Sequence, residues 1–274
     1  MRGRFNSSIT RVRPVFTSLI ERDPTGSVWL PVLLERCPRR ERVPAPIRAE
    51  PGELLPELAE TRRYKDKVLG EIDLLHCFER RVPPAADFLR WLILNSDKMT
   101  WPANAGTSEE TLRRRRALCG NDPELRDAAR VEALDLLDKR GAAGSDKKWW
   151  AFEGFTEVDC WLETERLVLL IEGKRRESLS PATAWYPDRN QLVRNLEVAS
   201  GSVGTKEAFV LLVVEEAGPG LTRERLIAST PHMSDGNREL LTERYLGQVT
   251  WRSLVDALEL PSNVLVDERP PDVV

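Results

Sequence analysis

Two carboxylates and a lysine are the residues whose types and spacing could support chemistry. Asp159 lies in a segment of alternating polar and apolar residues, and Glu172 follows it thirteen residues later. Glu172 comes directly after an apolar run and opens the tripeptide Glu172-Gly173-Lys174. Because side chains alternate along a strand, Glu172 and Lys174 should point to the same face. An antiparallel hairpin would bring Asp159 to that face as well.

These groups suit metal-assisted hydrolysis. Carboxylates and an ammonium group at the mouth of an apolar strand are costly to remove from water unless they pair or bind a metal ion. Carboxylate oxygens suit a hard cation such as Mg²⁺ or Mn²⁺. Such an ion would lower the pKa of a bound water and neutralise charge on a phosphate, while Lys174 would position that water or stabilise developing negative charge. The set therefore fits hydrolysis of a phosphodiester bond.

A helix is predicted ahead of these residues. The run Asn121-Asp122-Pro123-Glu124 is typical of a helix start, because it offers a capping side chain, a proline in the first turn and an acid beside the helix dipole. The helix should continue to about residue 140 and end at Gly141, since glycine commonly follows a helix C-terminus.

Strands and helices should then alternate. Three extended segments are predicted at 148–153, 156–164 and 167–174, and the third holds the apolar run typical of a buried central strand. The later elements are a helix opened by Pro187-Asp188, a buried strand at 209–214, a further helix, a short strand at 248–251 and a last helix at 253–258. This order predicts an α/β fold with a central mixed sheet flanked by helices.

The motif and the element order resemble a known superfamily. Glu157-Val158-Asp159 followed by Ile171-Glu172-Gly173-Lys174 resembles the signature of the PD-(D/E)XK nucleases, and the order of elements over residues 123–216 resembles their αβββαβ, restriction-endonuclease-like core. The resemblance implies that Asp159 and Glu172 are metal ligands, that the backbone carbonyl of Gly173 is a third ligand, and that Lys174 is the catalytic lysine. Val158 stands where the signature has proline.

One further candidate lies on the helix after the third strand. Some RecB-type members of the superfamily carry Gln-x-x-x-Tyr there, and Gln191 matches the glutamine while Asn195 stands in place of the tyrosine. The resemblance makes Gln191 a candidate catalytic residue. The alternative is that both amide side chains face solvent.

Basic and aromatic residues near these segments leave alternatives open. The arginine run 113–116 is either a solvated helix face or a patch that contacts phosphate. The same two readings apply to four further arginines, Arg175, Arg176, Arg189 and Arg194. Four tryptophans either pack in and around the core or stack on unpaired bases, namely Trp149, Trp150, Trp161 and Trp185.

Glu132 is a candidate on geometric grounds. At about 100° per residue, it projects into the apolar arc of the predicted helix, together with Leu125, Ala133 and Leu137. A buried, unpaired carboxylate would be costly or would hold its proton, and a cation would relieve that cost. The first core helix of many relatives in the superfamily offers an acid to the metal. The alternative is that Glu132 pairs with an arginine or reaches the rim.

Composition excludes several other classes. The 274 residues include 41 Lys and Arg against 44 Asp and Glu, so the net charge of −3 excludes a uniformly basic nucleic-acid-binding coat. Four scattered cysteines without a C-x-x-C pair argue against a disulfide framework or a zinc ribbon, and two histidines argue against a Ser-His-Asp triad. No apolar run approaches the roughly 20 residues that span a bilayer, and the start lacks the apolar core of a signal peptide. A cytoplasmic protein without membrane contact is expected.

The sequence therefore predicts three regions and one preferred function. Residues 1–120 form a helical and irregular region, 121–260 the nuclease-like domain, and 261–274 a flexible tail. The preferred function is a Mg²⁺- or Mn²⁺-dependent nuclease, with DNA favoured over RNA as its substrate. The alternative is a catalytically silent nuclease-like module that binds nucleic acid or a protein. A third interpretation is a structural subunit in which the Asp-Glu-Lys cluster is only an ion network.

Overall fold

The computed structural model of the protein describes residues 7–55, 62–66, 70–74, 79–201 and 204–266. The helices in these ranges are α1 (Arg13–Arg22), α2 (Trp29–Arg36), α3 (Ala45–Ala49), α4 (Ala86–Leu94), α5 (Glu109–Cys119), α6 (Pro123–Arg140), α7 (Gln191–Gly201), α8 (Arg223–Ser229), α9 (Asp235–Glu243) and α10 (Trp251–Ala257). The strands are β1 (Arg62–Asp66), β2 (Gly70–Leu74), β3 (Arg80–Val82), β4 (Thr156–Val158), β5 (Cys160–Glu163), β6 (Leu167–Gly173), β7 (Glu207–Val214) and β8 (Tyr245–Thr250).

A four-stranded mixed sheet, in the order β5-β6-β7-β8, confirms the predicted α/β class. Strands β5 and β6 pair antiparallel, whereas β6, β7 and β8 run parallel. Parallel neighbours need a crossover connection, and α7 provides it between β6 and β7 while α8 and α9 provide it between β7 and β8. Two separate pairs, β1 with β2 and β3 with β4, are antiparallel.

The central strand β6 is buried because helices cover both faces of the sheet. Its residues Leu169 and Ile171 pack in a core cluster with residues of α1, α2 and α10. Val168 and Leu170 point to the opposite face and pack in a second cluster with residues of α7, α8 and α9. The continuous apolar run 167–171 is thus explained by burial on both sides.

A third cluster lies apart from the sheet strands. It joins Phe88 and Leu92 of α4, Leu118 of α5 and Ala133 of α6 with Trp150, which precedes β4. Helix α6 has the predicted ends, since Asp122 accepts hydrogen bonds from the first-turn amides and Gly141 adopts a positive φ of 63°. Its buried side chains, however, belong to this cluster and not to the sheet's core.

Two of the three predicted extended segments differ in the structure. Segment 148–153 is not a strand but a series of turns, because its aromatic residues pack into the third cluster and its amides bond locally, as from Ala151 to the Lys148 carbonyl at 3.1 Å. Segment 156–164 is interrupted at Asp159, so that β4 pairs with β3 while β5 pairs with β6. The later helices and strands are present with shifted ends.

The described N-terminal helices complete the core around β6. Val15, Phe16 and Leu19 of α1 are fully buried in the same cluster as Ile171.

Across the described ranges, the structure has no helix with the length and apolar character needed to cross a membrane.

Candidate active site

The structure brings Asp159, Glu172 and Lys174 together at the carboxyl end of β6. Glu172 has no exposed surface, and the Lys174 ammonium lies 2.6 Å from its Oε1 atom. The backbone amide of Gly173 donates to Asp159 Oδ2 at 3.0 Å, which holds the Asp159 carboxyl group at the residue that follows Glu172. The predicted convergence of these three residues is therefore present.

Local structure explains this convergence. In the antiparallel pair of β5 and β6, Cys160 is opposite Ile171, which places Asp159 beside the end of β6. The backbone bends at Asp159 between β4 and β5, so its side chain reaches the Gly173 amide instead of continuing the strand's alternation. On the far side, Trp251 Nε1 donates to the Lys174 carbonyl at 3.0 Å and fixes the chain after β6.

Two amide side chains from α7 hold Glu172. Gln191 Nε2 donates to Glu172 Oε1 at 2.6 Å, and Asn195 Nδ2 donates to Glu172 Oε2 at 2.7 Å. The interpretation that both amides face solvent is therefore wrong. Asn195 is fully buried and belongs to the site, although sequence reasoning did not include it because the resemblance places tyrosine there. The signal that could have identified it is the four-residue spacing from Gln191 on one helix face.

The charges of the cluster do not balance. Burial, and then the neighbouring Glu172 carboxylate, raise the pKa of Asp159 well above its ordinary value of 3.8. Burial alone would lower the pKa of Lys174, but the Glu172 and Asp159 carboxylates outweigh it, and the net shift is upward. If both carboxyl groups were ionised, two negative charges would face one ammonium group, and the raised pKa of Asp159 relieves this imbalance by favouring its protonated form.

The donor set fits a hard divalent cation. Asp159 and Glu172 offer neighbouring carboxyl groups whose mutual repulsion a cation would relieve, and Mg²⁺ is commonly bound through one or two carboxylates plus water molecules. The Gly173 carbonyl accepts a hydrogen bond from Ser7 Oγ at 2.7 Å, which leaves its second lone pair. Asn195 Oδ1 is a buried acceptor without a hydrogen-bond partner in the described part of the chain.

A cleft opens beside Lys174 at the carboxyl ends of β6 and β7. Its volume is about 580 Å³, and Arg175 and Arg176 lie in its lining next to Lys174. Arg11 also lines it, but it is paired with Glu215 through an Nε–Oε2 contact of 2.9 Å. Ligands of open α/β sheets commonly bind outside the carboxyl ends of the strands, which is the place of this cleft.

Glu132 is not brought to this cluster. Its carboxylate is 45% exposed and lies 2.9 Å from Arg114 Nη1, which is the arginine-paired alternative. The predicted apolar arc of α6 is wrong in its first turn, where Leu125 is 57% exposed, while Ala133 and Leu137 are buried. The reason is that α6 packs against α4 and α5 through a narrow stripe of small residues, which leaves Glu132 at the surface.

Two of the arginines considered either as solvated or as phosphate contacts, Arg189 and Arg194, instead bind carboxylates within the protein. Arg189 is 1% exposed, and its Nε and Nη2 atoms lie 2.8 and 3.1 Å from the two carboxylate oxygens of Glu153. Its Nη1 atom contacts Glu197, which is equally buried. Arg194 Nε also lies 3.0 Å from Glu153 Oε1. The phosphate-binding interpretation of these two arginines is therefore wrong.

Three arginines of the run 113–116 and all four tryptophans make contacts within the protein. Arg115 is buried and donates to the carbonyl of Trp149 at 2.6 Å, whereas Arg113 and Arg114 pair with Glu110 on the surface of α5. All four tryptophans named from the sequence are buried: Trp149, Trp150, Trp161 and Trp185. Because these rings are buried, their faces are not available to stack on nucleic-acid bases.

Comparisons with known proteins give no relative. No family model, no curated protein and no solved structure matches the chain. The geometry of the Asp159–Glu172–Lys174 cluster and its cleft is therefore the basis for assigning a function.

A methyl group at position 173 is expected to destabilise the protein. A Cβ atom there would lie 2.5 Å from Val12 Cγ2 and 2.9 Å from Trp251 Cζ2, both of which are in the packed core. Because overpacking forces neighbours to move, Gly173→Ala should lower the free energy of unfolding by about 1–3 kcal/mol, measured by urea denaturation. Gly154→Ala is the control, since nothing lies within 4 Å of its added Cβ. Equal effects of the two substitutions would contradict the packing shown here.

Asp159→Asn is expected to raise stability at neutral pH in EDTA. The folded protein raises the pKa of Asp159 above its ordinary value of 3.8, so between pH 3.8 and the folded pKa the unfolded chain releases the Asp159 proton while the folded chain keeps it. The free energy of unfolding therefore falls as the pH rises through this interval. Asparagine carries no charge and still accepts the Gly173 amide hydrogen bond. The stability difference between variant and wild type, from urea denaturation at pH 4 and pH 8, should therefore grow with pH. A difference that shrinks over this range would show that Asp159 is not destabilised by burial and Glu172.

Proposed function

We propose that the protein is a metal-dependent nuclease that hydrolyses DNA phosphodiester bonds. The observation that carries this proposal is that the Gly173 amide holds the Asp159 carboxyl group at the end of β6, beside Glu172 and the Lys174 ammonium bound to it, where the cleft opens. Two neighbouring carboxyl groups next to a positioned ammonium group suit a divalent cation and a phosphate substrate. The resemblance to the PD-(D/E)XK superfamily supports the same assignment.

The proposed roles follow from the contacts of each residue. Asp159 and Glu172, with the Gly173 carbonyl, would hold Mg²⁺ or Mn²⁺, which when bound supplies Lewis-acid stabilisation and a more acidic water. The Lys174 ammonium remains charged because the two carboxylates raise its pKa, and it can stabilise negative charge on a phosphate oxygen. Gln191 and Asn195 fix the orientation of the Glu172 carboxylate through both its oxygens.

The cleft lining holds four basic side chains, Arg11, Lys174, Arg175 and Arg176, and three acidic ones, Glu177, Glu215 and Glu216. The protein has a net charge of −3, so phosphate binding depends on where the arginines lie. Arg175 and Arg176 follow Lys174 directly and line the cleft with it. Phosphates flanking the scissile bond would contact these two arginines in competition with the carboxylates of the cleft, Glu215 among them, while Arg189 and Arg194 play no part because they bind Glu153. DNA is preferred over RNA on the strength of the superfamily resemblance.

A catalytically silent module is the second candidate. The observation that favours it is that Glu172 has no exposed surface and both its oxygens already accept hydrogen bonds from Lys174, Gln191 and Asn195. These donors leave Glu172 only the second lone pair of Oε2, so a cation binds there or displaces one of the donors. Calorimetric titration with Mn²⁺ separates the two candidates, because only the nuclease should bind it with an affinity that falls in Asp159→Asn.

The deciding experiment is a cleavage assay with defined substrates. Plasmid, linear duplex DNA, single-stranded DNA and RNA are incubated with the full chain in Mg²⁺, Mn²⁺ or EDTA. The nuclease proposal predicts DNA hydrolysis that requires a metal and is abolished by EDTA. Absence of metal-dependent hydrolysis on every substrate, together with absence of Mn²⁺ binding, would leave the silent module.

A further inference from the structure

The last residue of β6 extends beyond the strand pairing on the side of β5. The pairing of β5 with β6 ends where Cys160 lies opposite Ile171, and Gly173 is two residues further on. The Gly173 amide donates to the Asp159 side chain on this side, and the N–H and C=O groups of one strand residue point the same way. The Gly173 carbonyl therefore also faces the region of Asp159, and its direction is set by contacts outside the pairing of β5 with β6.

A serine from a distant part of the chain bonds to this carbonyl. The Ser7 hydroxyl donates to the Gly173 carbonyl at 2.7 Å, although the two residues are 166 positions apart. This distance is typical of an O–H···O hydrogen bond. Ser7 is 2% exposed, and a hydrogen bond in a buried environment is stronger than one in contact with water.

Ser7 is itself held against the end of β6. Its backbone amide donates to Glu177 Oε1 at 3.0 Å, and Glu177 follows Lys174 on the chain that leaves the strand. Further along the same segment, Val12 is fully buried, and a Cβ atom added at Gly173 would lie 2.5 Å from its Cγ2 atom. Because contacts at both residues hold the segment 7–12, the Ser7 hydroxyl stays close to the carbonyl.

The bond to Ser7 leaves the candidate metal ligands available. A carbonyl oxygen has two lone pairs, and the Ser7 hydroxyl uses one of them. A serine hydroxyl has a single proton to donate, so Ser7 donates to the Gly173 carbonyl and not to the carboxyl groups of Asp159 and Glu172. The bond therefore directs the carbonyl without using the lone pairs of the carboxyl groups.

We propose that Ser7 is a positioning residue of the metal site. Its hydroxyl fixes the direction of the Gly173 carbonyl, so that this oxygen can join Asp159 and Glu172 in binding the divalent cation. The inference rests on the proposed function, because it takes the cation to bind at these three residues. Groups that hydrogen-bond to metal ligands orient them, and their removal commonly weakens metal binding by about 10- to 100-fold.

Calorimetric titration of the full chain with Mn²⁺ tests this role. Ser7→Ala removes the hydroxyl and should weaken Mn²⁺ binding about tenfold. Ser7→Cys retains the shape of the side chain but offers only a weak donor, so it should also lose affinity. Ser7→Thr keeps a hydroxyl group and should restore most of the affinity.

Ser96→Ala is the matched control. The buried Ser96 hydroxyl donates to the carbonyl of Leu118, a residue of the third cluster, at 2.8 Å. In EDTA, Ser7→Ala and Ser96→Ala each lose one buried hydrogen bond and should lower the unfolding temperature by similar amounts. Only Ser96→Ala should keep the wild-type affinity for Mn²⁺. At a fixed concentration, Mn²⁺ should therefore raise the unfolding temperature less in Ser7→Ala than in Ser96→Ala.

The outcomes distinguish the role of Ser7 from the nuclease proposal. If the wild type binds no Mn²⁺, both are overturned. If the wild type binds Mn²⁺ and Ser7→Ala binds it as tightly or more tightly, only the role of Ser7 is overturned, because its hydroxyl then does not position a ligand. Equal losses of affinity in Ser7→Ala and Ser96→Ala would also overturn it, since the effect would then come from lowered stability.

Discussion

Lys174→Ala is expected to reduce metal-dependent DNA cleavage by about 10²–10³-fold, which is the usual cost of removing one preorganised group that stabilises developing charge. The lysine is positioned for that role because its ammonium lies 2.6 Å from Glu172 and beside the cleft, with only 12% of its side chain exposed. The protein should remain folded, since Gln191 and Asn195 still donate to Glu172. Initial rates with Mg²⁺ measure the loss, and circular dichroism checks the fold.

Lys206→Ala is the matched control for this experiment. Lys206 also forms an ion pair, with Glu163 at 2.6 Å and a side chain 21% exposed, but it lies at the opposite end of the sheet from the cleft. Its replacement should leave the cleavage rate unchanged. A folded Lys174→Ala protein that cleaves as fast as the wild type would remove Lys174 from the mechanism and favour the silent module.

The residues of the active site on β5 and β6 could be predicted because local rules determine them. The run 167–171 identifies a buried strand, and the alternation before it identifies a partner that can pair antiparallel. Together these predict that Asp159 lies near Glu172 at the end of the strand pair. The bend at Asp159, which splits the predicted strand into β4 and β5, depends on the Gly173 amide and so on tertiary contact.

The predictions from sequence were wrong where contacts with distant segments determine which face of a helix or strand is buried. Periodicity gives α6 one apolar arc, but the neighbours that cover it, α4 and α5, reach only part of it and leave Leu125 and Glu132 exposed. In the same way, the aromatic residues at 149–152 have the pattern of a strand, yet they pack among helices. Neither outcome is encoded in local spacing.

The buried ion network around Arg189 was missed for the same reason. Arg189 is 36 positions from Glu153, so no spacing rule joins the two residues. Once the fold brings them together, the carboxylates of Glu153 and Glu197 raise the pKa of Arg189 despite its burial. Arg189 Nη1 also donates to the Ser229 carbonyl at 2.9 Å, and its guanidinium carbon lies 3.7 Å from the centroid of the Phe88 ring. The network therefore ties the sheet's helices to the third cluster.

Arg189→Met is expected to lower the free energy of unfolding by about 3–5 kcal/mol, because removing one partner of a buried ion pair leaves uncompensated charge behind. Here Glu153 and Glu197 would remain with only 1% of each side chain exposed, and each would keep one neighbour, Arg194 at 3.0 Å from Glu153 and His232 at 2.7 Å from Glu197. Urea denaturation at pH 7 measures the loss. Arg113→Met is the control, since the Arg113–Glu110 pair lies on the surface and its removal should leave stability nearly unchanged.

A triple variant separates lost charge balance from lost packing. Methionine retains much of the apolar volume of the arginine stem, so the remaining cost of Arg189→Met should come from the two carboxylates that lose the arginine as their partner. Adding Glu153→Gln and Glu197→Gln removes both charges and should restore more than half of the lost stability. If the triple variant is instead as unstable as Arg189→Met, the cost lies in the contacts of the guanidinium with Phe88 and Ser229. The network would then act through shape and hydrogen bonding, and its charges would be incidental.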